Sequence, residues 1–349
     1  MMMSVRLPGK ISRKKNKHTP MWFEELTGFK EESPEQVRRL LEVKGPFLNS
    51  MVNQKSYHFG RLEVAQLADL RGRNKLRNGP RRINLQEIVA DVKDLHQAPE
   101  NAGALFQAAS QFNLLEMVSP EVTPERGVGI YEYDRTQGPA CAIACGAGTI
   151  YRNYFAPVNG QIGQSEEQQI DCLADIGLNL GNSKGALWQM KNGYAFASKE
   201  GLEKINQQLS DMDEQAYEKL KGALRVGIQW DTEVILSANR QQVTQVYASA
   251  LPVGYSEHPV DLWEPFARLV LEATYEATFW AALENYRQTG NSKVYLTLVG
   301  GGVFANDLDW IFSAIRQSIK QFSHQALEVW FVSYGQSSPH IQKFLSTLI

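Results

Sequence analysis

The sequence has few cysteines, no long hydrophobic run and no excess of charge of either sign. Three cysteines in 349 residues are too few for a disulfide framework, and they indicate a reducing compartment. No run of about eighteen apolar residues occurs, so we expect neither a membrane span nor a secretory signal peptide. The 36 basic and 38 acidic residues leave a net charge of −2, which gives no support for nucleic acid as a partner. We therefore expect a cytoplasmic monomer, with delivery into another cell left open.

Metal and cofactor motifs are also missing. The cysteines form no CxxC pair, and Cys141 and Cys145 lie in the small-residue segment GPACAIACGAG, which predicts a buried helix rather than a metal site. There is no fixed-period repeat and no low-complexity tract. We expect no metal and no cofactor.

The sequence does have enough apolar residues, 43% of the chain, for a sizeable core. Its composition changes along the chain and predicts three parts. Residues 1–20 are a basic, disordered arm; residues 21–80 are an α-rich extension; residues 81–349 form the main domain, with an insertion at about 150–240. The turn sequence Asn78-Gly79-Pro80 marks the boundary before the main domain.

The main domain alternates apolar β-branched runs with segments of helical spacing, which predicts an α/β fold with crossover connections. Asn159-Gly160 and Asn192-Gly193 predict hairpin turns in the insertion. The remaining element predictions are strands at 88–92 and 104–109, and helices at 34–43, 60–73, 166–176 and 199–224. Ser33 is predicted to cap the first of these helices.

Three consecutive glycines, Gly300, Gly301 and Gly302, stand between a strand-like run and a helical segment in VYLTLVGGGVFANDLDW. Main chain without Cβ atoms at such a junction can approach the oxygens of a phosphate closely. The loop lacks the Lys-Ser/Thr of a P-loop and the spacing of GxGxxG, so a plain tight turn remains an alternative.

Two further polar stretches follow predicted strands. FQAASQFN places Gln107, Ser110, Gln111 and Asn113 at the ligand-binding edge of a sheet, where they could hold a ribose or only cap the next helix. YEYDRTQGPACAI brings carboxylates, among them Asp134, to the start of the small-residue helix, another junction that favours an anion.

The order of these motifs resembles the macrodomain, an ADP-ribose-binding fold, and within it the divergent branch related to ADP-ribosyl and poly(ADP-ribose) glycohydrolases. The pattern TPExGV, YxxDxTQGPACA and SALPVxYS also resembles macrodomain-like proteins that include bacterial effectors similar to arginine-specific ADP-ribosyl hydrolases. The resemblance covers about residue 88 to the C-terminus. It implies a three-layer α/β/α fold with a mixed sheet, an α-rich N-terminal extension and inserted hairpins and helices.

The resemblance also implies ligands. ADP-ribose and an ADP-ribosylated protein would be the partners, and the activity would be hydrolysis of the bond between ADP-ribose and a side chain, arginine in the first instance. The substrate-binding positions that match the family motifs or lie beside them are Asp91, Gln107, Ser110, Gln111, Asn113, Thr136, Gln137, Gly138, Arg152, Asn153, Gly300, Gly301, Gly302, Val303, Phe304, Asn306 and Tyr334. Asp91 would receive the adenine amino group, and Tyr334 would border the adenine. Arg152 and Asn153 could equally belong to a buried salt bridge.

The catalytic residues of the family do not carry over. Ala140 stands where many hydrolytic macrodomains have an aspartate, no QEE pair is present, and Ala305 replaces the last glycine of the phosphate loop. Glycosidic cleavage needs carboxyl groups, one to protonate the leaving group and one to stabilise positive charge on the sugar. The candidates are Asp134, Glu125 and Glu116, each of which could instead be a solvated or capping carboxylate. A reader module that binds ADP-ribose without cleaving it, and a poly(ADP-ribose) glycohydrolase, are the alternatives.

Overall fold

The computed structural model describes residues 21–348, so the predicted basic arm lies outside the described residues. The strands are β1 (Leu41–Lys44), β2 (Phe47–Ser50), β3 (Ser56–His58), β4 (Arg61–Gln66), β5 (Asn84–Val89), β6 (Leu105–Ala109), β7 (Pro157–Val158), β8 (Gln161–Ile162), β9 (Trp188–Lys191), β10 (Tyr194–Ala197), β11 (Arg225–Glu233), β12 (Gln242–Ala248), β13 (Lys293–Leu296) and β14 (Glu328–Ser333).

The α-helices are α1 (Trp22–Thr27), α2 (Pro34–Leu40), α3 (Leu67–Arg73), α4 (Val92–Gln97), α5 (Gln137–Ala144), α6 (Gly146–Tyr154), α7 (Ala174–Leu180), α8 (Lys199–Ser210), α9 (Glu214–Gly222), α10 (Val260–Thr289), α11 (Leu308–Gln321) and α12 (Pro339–Ser346). Short 3₁₀ turns lie at Pro99–Asn101, Pro124–Arg126, Gly129–Tyr133 and Val253–Tyr255. Within residues 21–348, no helix is both long and apolar enough to cross a membrane.

A seven-stranded mixed sheet in the order β4-β11-β12-β6-β13-β14-β5 forms the centre of the molecule. The five strands from β12 to β5 run parallel to one another, and β11 is antiparallel to both of its neighbours. Parallel strands end at a common edge, so the segments that follow β6, β13, β14 and β5 meet at one side of the sheet.

Helices cover both faces of this sheet. Two consecutive residues of strand β6 contact helices on opposite faces, because neighbouring side chains of a strand point to opposite faces of the sheet. The ring of Phe106 stacks on His96 of α4, with ring centroids 3.8 Å apart, whereas the amide Nε2 of Gln107 donates to Thr278 Oγ1 of α10 at 2.9 Å. The predicted three-layer α/β/α architecture with a mixed sheet is therefore confirmed.

Most predicted elements are present. Ser33 caps α2 by accepting a hydrogen bond from Gln36 N, and both Asn-Gly pairs form hairpin turns with positive φ at each residue. All three cysteines are buried and free. The predicted helix over 199–224 is two helices, α8 and α9.

Three predictions of elements were wrong. The segment 60–73 is strand β4 followed by helix α3, because pairing with β11 along the sheet edge outweighs a weak helical preference. Residues 166–173 are irregular, since the buried side chain of Gln164 bonds the main chain at residues 113, 152 and 170 and holds an open loop. Residues 88–92 span the end of β5 and the start of α4 rather than one strand.

The N-terminal segment shares a core with the main domain. Trp22, Phe23 and Val37 pack in one apolar cluster with residues of α5 and α6 such as Ile143 and Ile150. This segment holds a three-stranded sheet, β1-β2-β3, in addition to its helices, and β4 joins the central sheet. The extension thus contains strands beside its predicted helices, with 17 residues in strands and 20 in helices.

A buried carboxylate fastens this segment to the loop before α5. Glu31 accepts hydrogen bonds from Val128 N (3.0 Å), Gly129 N (2.6 Å) and the hydroxyl of Tyr154 (2.6 Å). Burial raises the pKa of Glu31, and the three hydrogen bonds oppose that rise. The interaction fixes the main chain that leads to Asp134.

We expect Glu31→Ala to lower the free energy of unfolding by about 2 kcal/mol or more, because it leaves buried donors without an acceptor. Urea denaturation measures the change. Glu25→Ala, at an exposed position of α1, is the matched control and should change stability by less than about 0.5 kcal/mol. Equal effects of the two substitutions would contradict the role given to Glu31.

Candidate active site

A cleft of about 710 Å³ opens at the carboxyl ends of β6 and β13. Three chain segments predicted from the sequence converge on it: the end of β6 with the residues after it, the start of α5, and the glycine loop after β13. Its lining residues are Ala109, Ser110, Gln111, Glu116, Met117, Val118, Tyr133, Asp134, Arg135, Thr136, Gln137, Gly138, Pro139, Tyr194, Ala250, Tyr255, Thr297, Leu298, Val299, Gly300, Gly302, Val303 and Phe304.

The glycine loop presents main chain to this cleft. Gly300 has a φ of +80°, and a Cβ there would lie 2.5 Å from the Cβ of Ala250 and 2.8 Å from Nδ2 of Asn306, so only glycine fits. Gly302 differs, since a Cβ there would meet no atom within 4 Å. The loop therefore packs tightly on one side and leaves open space on the other.

Asn306 organises the loop from behind. Its main-chain N–H donates to Gly300 O at 2.9 Å, and its buried side chain donates to Leu251 O at 2.8 Å. Neither Asn306 nor Gly301 lines the cleft, although both were expected to bind substrate. Ala305, which replaces a family glycine, has a φ of +52°, a conformation that costs a residue with a Cβ about 1 kcal/mol.

The polar residues after β6 divide into two groups. Ser110 and Gln111 line the cleft. The side chain of Gln107 instead donates a hydrogen bond to Thr278 of helix α10. Asn113 is fully buried, and its Nδ2 donates to Gln169 Oε1 at 2.9 Å. Neither Gln107 nor Asn113, both predicted to contact ribose, lines the cleft. Their side-chain amides form hydrogen bonds inside the fold instead.

Gln137 ties the start of α5 to the end of β6. Its Oε1 accepts from Ala109 N at 3.0 Å, and its Nε2 donates to Gln107 O at 2.8 Å. The side chain thus hydrogen bonds main-chain groups of the last residues of β6. Asp134 precedes the helix and accepts a hydrogen bond from Thr136 N at 2.8 Å, which orients its carboxylate at the cleft.

Glu116 is the buried carboxyl group of the cleft. Its side chain is 4% exposed, and Oε1 has no hydrogen-bond partner among the described residues. The carboxyl group packs against Gly138, where a Cβ would collide with Glu116 Oε2 and with the carbonyl oxygen of Ala109. Its main-chain N–H donates to the hydroxyl of Tyr131 at 2.9 Å, which fixes its position.

Burial raises the pKa of Glu116 well above its ordinary value. The positive charge of Arg152 and the hydroxyl of Ser110 lower it, whereas the negative charge of Asp134 raises it further. The net effect keeps a proton on Glu116 at a pH where an exposed glutamate is ionised. A protonated carboxyl group that lines a cleft and has one oxygen without a partner can donate a proton to a bound molecule.

The other predicted site residues in this part of the chain lie outside the cleft. Glu125 is exposed and accepts a hydrogen bond from Glu166 N at 2.8 Å. Arg152 is buried against the ring of Tyr247, with its guanidinium carbon 3.6 Å from the ring centroid. Asn153 is buried and donates to Pro124 O at 3.0 Å. Arg152 forms no ion pair within residues 21–348, so it acts on Glu116 through its charge rather than by contact.

The two predicted adenine-site residues lie at the same edge of the sheet. Asp91 follows β5 and caps α4 by accepting from Lys93 N at 2.8 Å, and Tyr334 follows β14 with 80% of its surface exposed. Since β14 and β5 are parallel to β13, both residues continue the edge beyond the cleft. Neither is among the residues that line the cleft.

The lining residues that the sequence patterns did not predict include three tyrosines and one arginine: Tyr133, Tyr194, Tyr255 and Arg135. Tyr133 and Arg135 flank the predicted site residue Asp134, and this position in the sequence could have indicated that they line the cleft. Tyr194 comes from the inserted β9-β10 hairpin, and its ring centroid lies 5.3 Å from those of Tyr255 and Phe304. Nothing in the spacing of these three residues along the chain indicates that they meet.

Within residues 21–348, no group of three or more His, Cys, Asp or Glu side chains is placed to hold a metal ion. The charged groups available to a ligand in the cleft are therefore Glu116, Asp134 and Arg135.

No protein-family model and no curated protein matches the sequence. Among solved structures, poly(ADP-ribose) glycohydrolase from Thermomonospora curvata is similar at a TM-score of 0.43 and 11% identity, over 90% of this chain and 94% of that chain. The enzyme from Deinococcus radiodurans in complex with ADP-ribose gives a TM-score of 0.40 and 13% identity, over 82% and 95% of the two chains. At these scores the likeness assigns neither family nor function to this chain.

We expect Gly138→Ala to destabilise the fold by about 2 kcal/mol or more, because the added methyl group overlaps the carbonyl of Ala109 and the carboxyl group of Glu116. Gly302→Ala adds the same methyl group where the space is open and should stay within about 0.5 kcal/mol of wild type. Chemical denaturation of both variants tests the packing at the cleft. A neutral Gly138→Ala would show that Glu116 is not held against this helix start.

Proposed function

We propose that this protein is an ADP-ribosyl glycohydrolase, which cleaves the bond between the C1 carbon of the distal ribose and a side-chain nitrogen, with arginine as the modified residue. One observation carries the proposal. A buried carboxyl group with an unpartnered oxygen, Glu116, faces the same cleft as the main chain of the glycine loop. The motif order in the sequence, which resembles ADP-ribosyl glycohydrolases, supports the same reading.

The diphosphate of the ligand would lie along the glycine loop. Gly300 and Gly302 line the cleft with main chain that carries no side chain to obstruct phosphate oxygens. Arg135 is the one cationic side chain among the described residues that line the cleft, and no ion pair within residues 21–348 occupies it. A guanidinium group can pair with two phosphate oxygens at once, which suits a diphosphate.

Glu116 would act as the general acid. As the C1–N bond breaks, positive charge develops on the ribose and the leaving nitrogen takes the proton of Glu116. Water then adds to C1 and loses a proton to the resulting carboxylate, which restores Glu116. The carboxyl group of Asp134, oriented by its hydrogen bond from Thr136 N, would stabilise the charge on the sugar.

The preference for arginine rests on the charge of the cleft. The leaving group is a guanidinium, and the carboxylate of Asp134 can pair with such a planar cation through two hydrogen bonds. The exposed ring of Tyr133 beside it offers a surface on which a guanidinium can stack. A serine or glutamate linkage would use neither interaction.

The rival function is a reader that binds ADP-ribose without cleaving it. Ala140 favours the rival, because it stands where many hydrolytic macrodomains have an aspartate. In this fold, however, Ala140 is buried and does not line the cleft, whereas Glu116 and Asp134 do. In this proposal, the carboxyl groups for hydrolysis would come from Glu116 and Asp134 instead.

The deciding experiment offers the purified protein four substrates: proteins ADP-ribosylated on arginine, glutamate or serine, and poly(ADP-ribose). Released ADP-ribose is measured for each. Release from arginine alone supports the full proposal, and release from the polymer would make the protein a poly(ADP-ribose) glycohydrolase instead. Binding of ADP-ribose with no release from any substrate would establish a reader.

We expect Gly302→Leu to weaken ADP-ribose binding at least tenfold, because the new side chain fills the side of the loop that the diphosphate needs. Isothermal titration calorimetry gives the affinity. Gly72→Leu, an exposed glycine of α3 with equally open surroundings, is the control and should bind as wild type does. Full affinity in the Gly302 variant would remove the diphosphate from this loop.

We expect Glu116→Gln to bind ADP-ribose normally and to lose turnover about a hundredfold or more, the usual effect of removing one positioned acid. The same variant should be more stable than wild type at neutral pH. The raised pKa of Glu116 means that the folded state favours its protonated form, so wild-type stability falls as pH rises from about 4.5 toward that pKa.

Glutamine carries no charge, so the stability advantage of this variant should be absent near pH 4 and should grow toward pH 8. Thermal unfolding across this range measures it. A variant that is inactive and shows no pH-dependent gain would indicate general disruption rather than loss of a buried acid.

A further inference from the structure

A second cavity, of about 400 Å³, lies at the opposite edge of the sheet from the cleft. Its lining includes Gly290, just before β13, and Ala326, just before β14, so it sits at the amino ends of these strands, whereas the cleft lies at the carboxyl end of β13. The remaining lining residues are Arg77, Arg82, Leu283, Tyr286, Arg287, His324 and Gln325. We call this cavity the basic pocket.

Three arginines and one histidine face the basic pocket, and no acidic residue lines it. Among residues 21–348, none of the guanidinium groups of Arg77, Arg82 and Arg287 forms an ion pair with a carboxylate. Like charges that converge without a counter-ion repel one another. The arrangement therefore favours a bound anion.

Main-chain hydrogen bonds hold this part of the chain in place, so the side chains of Arg77 and Arg82 are not needed to stabilise it. The main-chain N and O of Arg77 both bond to the buried side chain of Gln325, at 3.3 and 3.0 Å. Arg82 N donates to Ser323 O at 2.8 Å. No hydrogen bond within residues 21–348 involves the guanidinium group of either arginine.

The other two basic groups add to the site in different ways. Arg287 donates to Asn74 Oδ1 at 2.6 Å and to Lys75 O at 2.9 Å, so it is fixed in position and offsets the partial negative charge at the end of helix α10. Nδ1 of His324 is shielded from solvent and has no hydrogen-bond partner among the described residues. A phosphate oxygen or hydroxyl would satisfy it.

The distribution of unpaired basic side chains favours a compact ligand over a nucleic acid. The basic segment from 71 to 82 is not a continuous cationic stripe, because Arg71 is paired with Glu218 and Glu276, and Arg73 with Glu63 and Glu284. Of the other four basic residues in this segment, Arg77 and Arg82 line the basic pocket, and Lys75 and Arg81 do not. A nucleic-acid backbone needs an extended basic surface, whereas a single phosphate or diphosphate fits a pocket of this size.

We propose that the basic pocket binds a small phosphorylated anion, a phosphate monoester or diphosphate, through the guanidinium groups of Arg77 and Arg82. The site is independent of the cleft and of the function proposed for it. Free phosphate and a phosphate carried on a small organic molecule share this chemistry, and the probes below distinguish them.

Calorimetric titration of the full chain with inorganic phosphate, pyrophosphate and ribose 5-phosphate tests the proposal at constant ionic strength. The variants are Arg77→Gln, Arg82→Gln and the double substitution, and Arg126→Gln, an exposed arginine elsewhere, controls for the loss of one charge. Gly302→Leu reports whether any binding occurs in the cleft instead. Because neither Arg77 nor Arg82 uses its guanidinium group to hold the fold, at least the single variants should remain folded.

We expect saturable binding of at least one probe, weakened tenfold or more in the double variant and unchanged in Arg126→Gln. The part of the binding that persists in Gly302→Leu belongs to the basic pocket rather than to the cleft. The probe that binds most tightly identifies the source of the phosphate. Absence of saturable binding to wild type overturns the proposal, as does binding that Gly302→Leu removes or that Arg126→Gln weakens equally. Binding of a DNA or RNA oligonucleotide that none of the three probes displaces would also overturn it, in favour of a nucleic-acid surface.

Discussion

The geometry of the cleft depends on the burial of one carboxyl group against a residue that has no side chain. Glu116 can occupy its place because Gly138, at the start of α5, leaves room for it beside the last carbonyl of β6. Burying Oε1 without a hydrogen-bond partner lowers the stability of the folded state. Buried groups of this kind are found mainly at functional sites. The surrounding structure compensates through fixed contacts: Tyr131 holds the main chain of Glu116, and Gln137 bonds the end of the neighbouring strand.

Two kinds of surface meet in the cleft. One is main chain, at Gly300 and Gly302, held in shape by Asn306 from the side away from the cleft. The other consists of side chains carried by the loop before α5 and by the segment after β6. The parallel strands bring these segments together, since β6 and β13 are neighbours and end at the same edge. Sequence separation of almost 200 residues is thus bridged by the topology of the sheet.

Much of the architecture could be predicted from local patterns. Apolar runs located β6 and β13, and the motif order indicated which loops meet. The patterns failed at 60–73, where pairing with a distant strand decides the conformation, and at 166–173, where side-chain bonds from Gln164 replace helical ones. Both outcomes depend on tertiary partners that a local window does not contain.

The candidate site was predictable at the level of segments but less so at the level of side chains. Ser110, Asp134 and Gly138 line the cleft as expected. Gln107 and Asn113 lie on the same short stretch as Ser110, yet their side chains form hydrogen bonds within the packed interior. Alternation along β6 directs Gln107 toward α10, and the chain after β6 turns at Leu114, which has a positive φ. Sequence position does not reveal the burial of Glu116, which raises the pKa of this carboxyl group in the folded chain.

The inserted hairpin formed by β9 and β10 contributes Tyr194 to the wall of the cleft while standing apart from the central sheet. Its turn packs on the segment after β6, where Phe112 N bonds Gly193 O. A peripheral element that supplies one wall can lengthen, shorten or exchange its aromatic residue without altering the register of any sheet strand. The breadth of the opening, and so the size of the group admitted, is set by a part of the chain that can diverge independently of the scaffold.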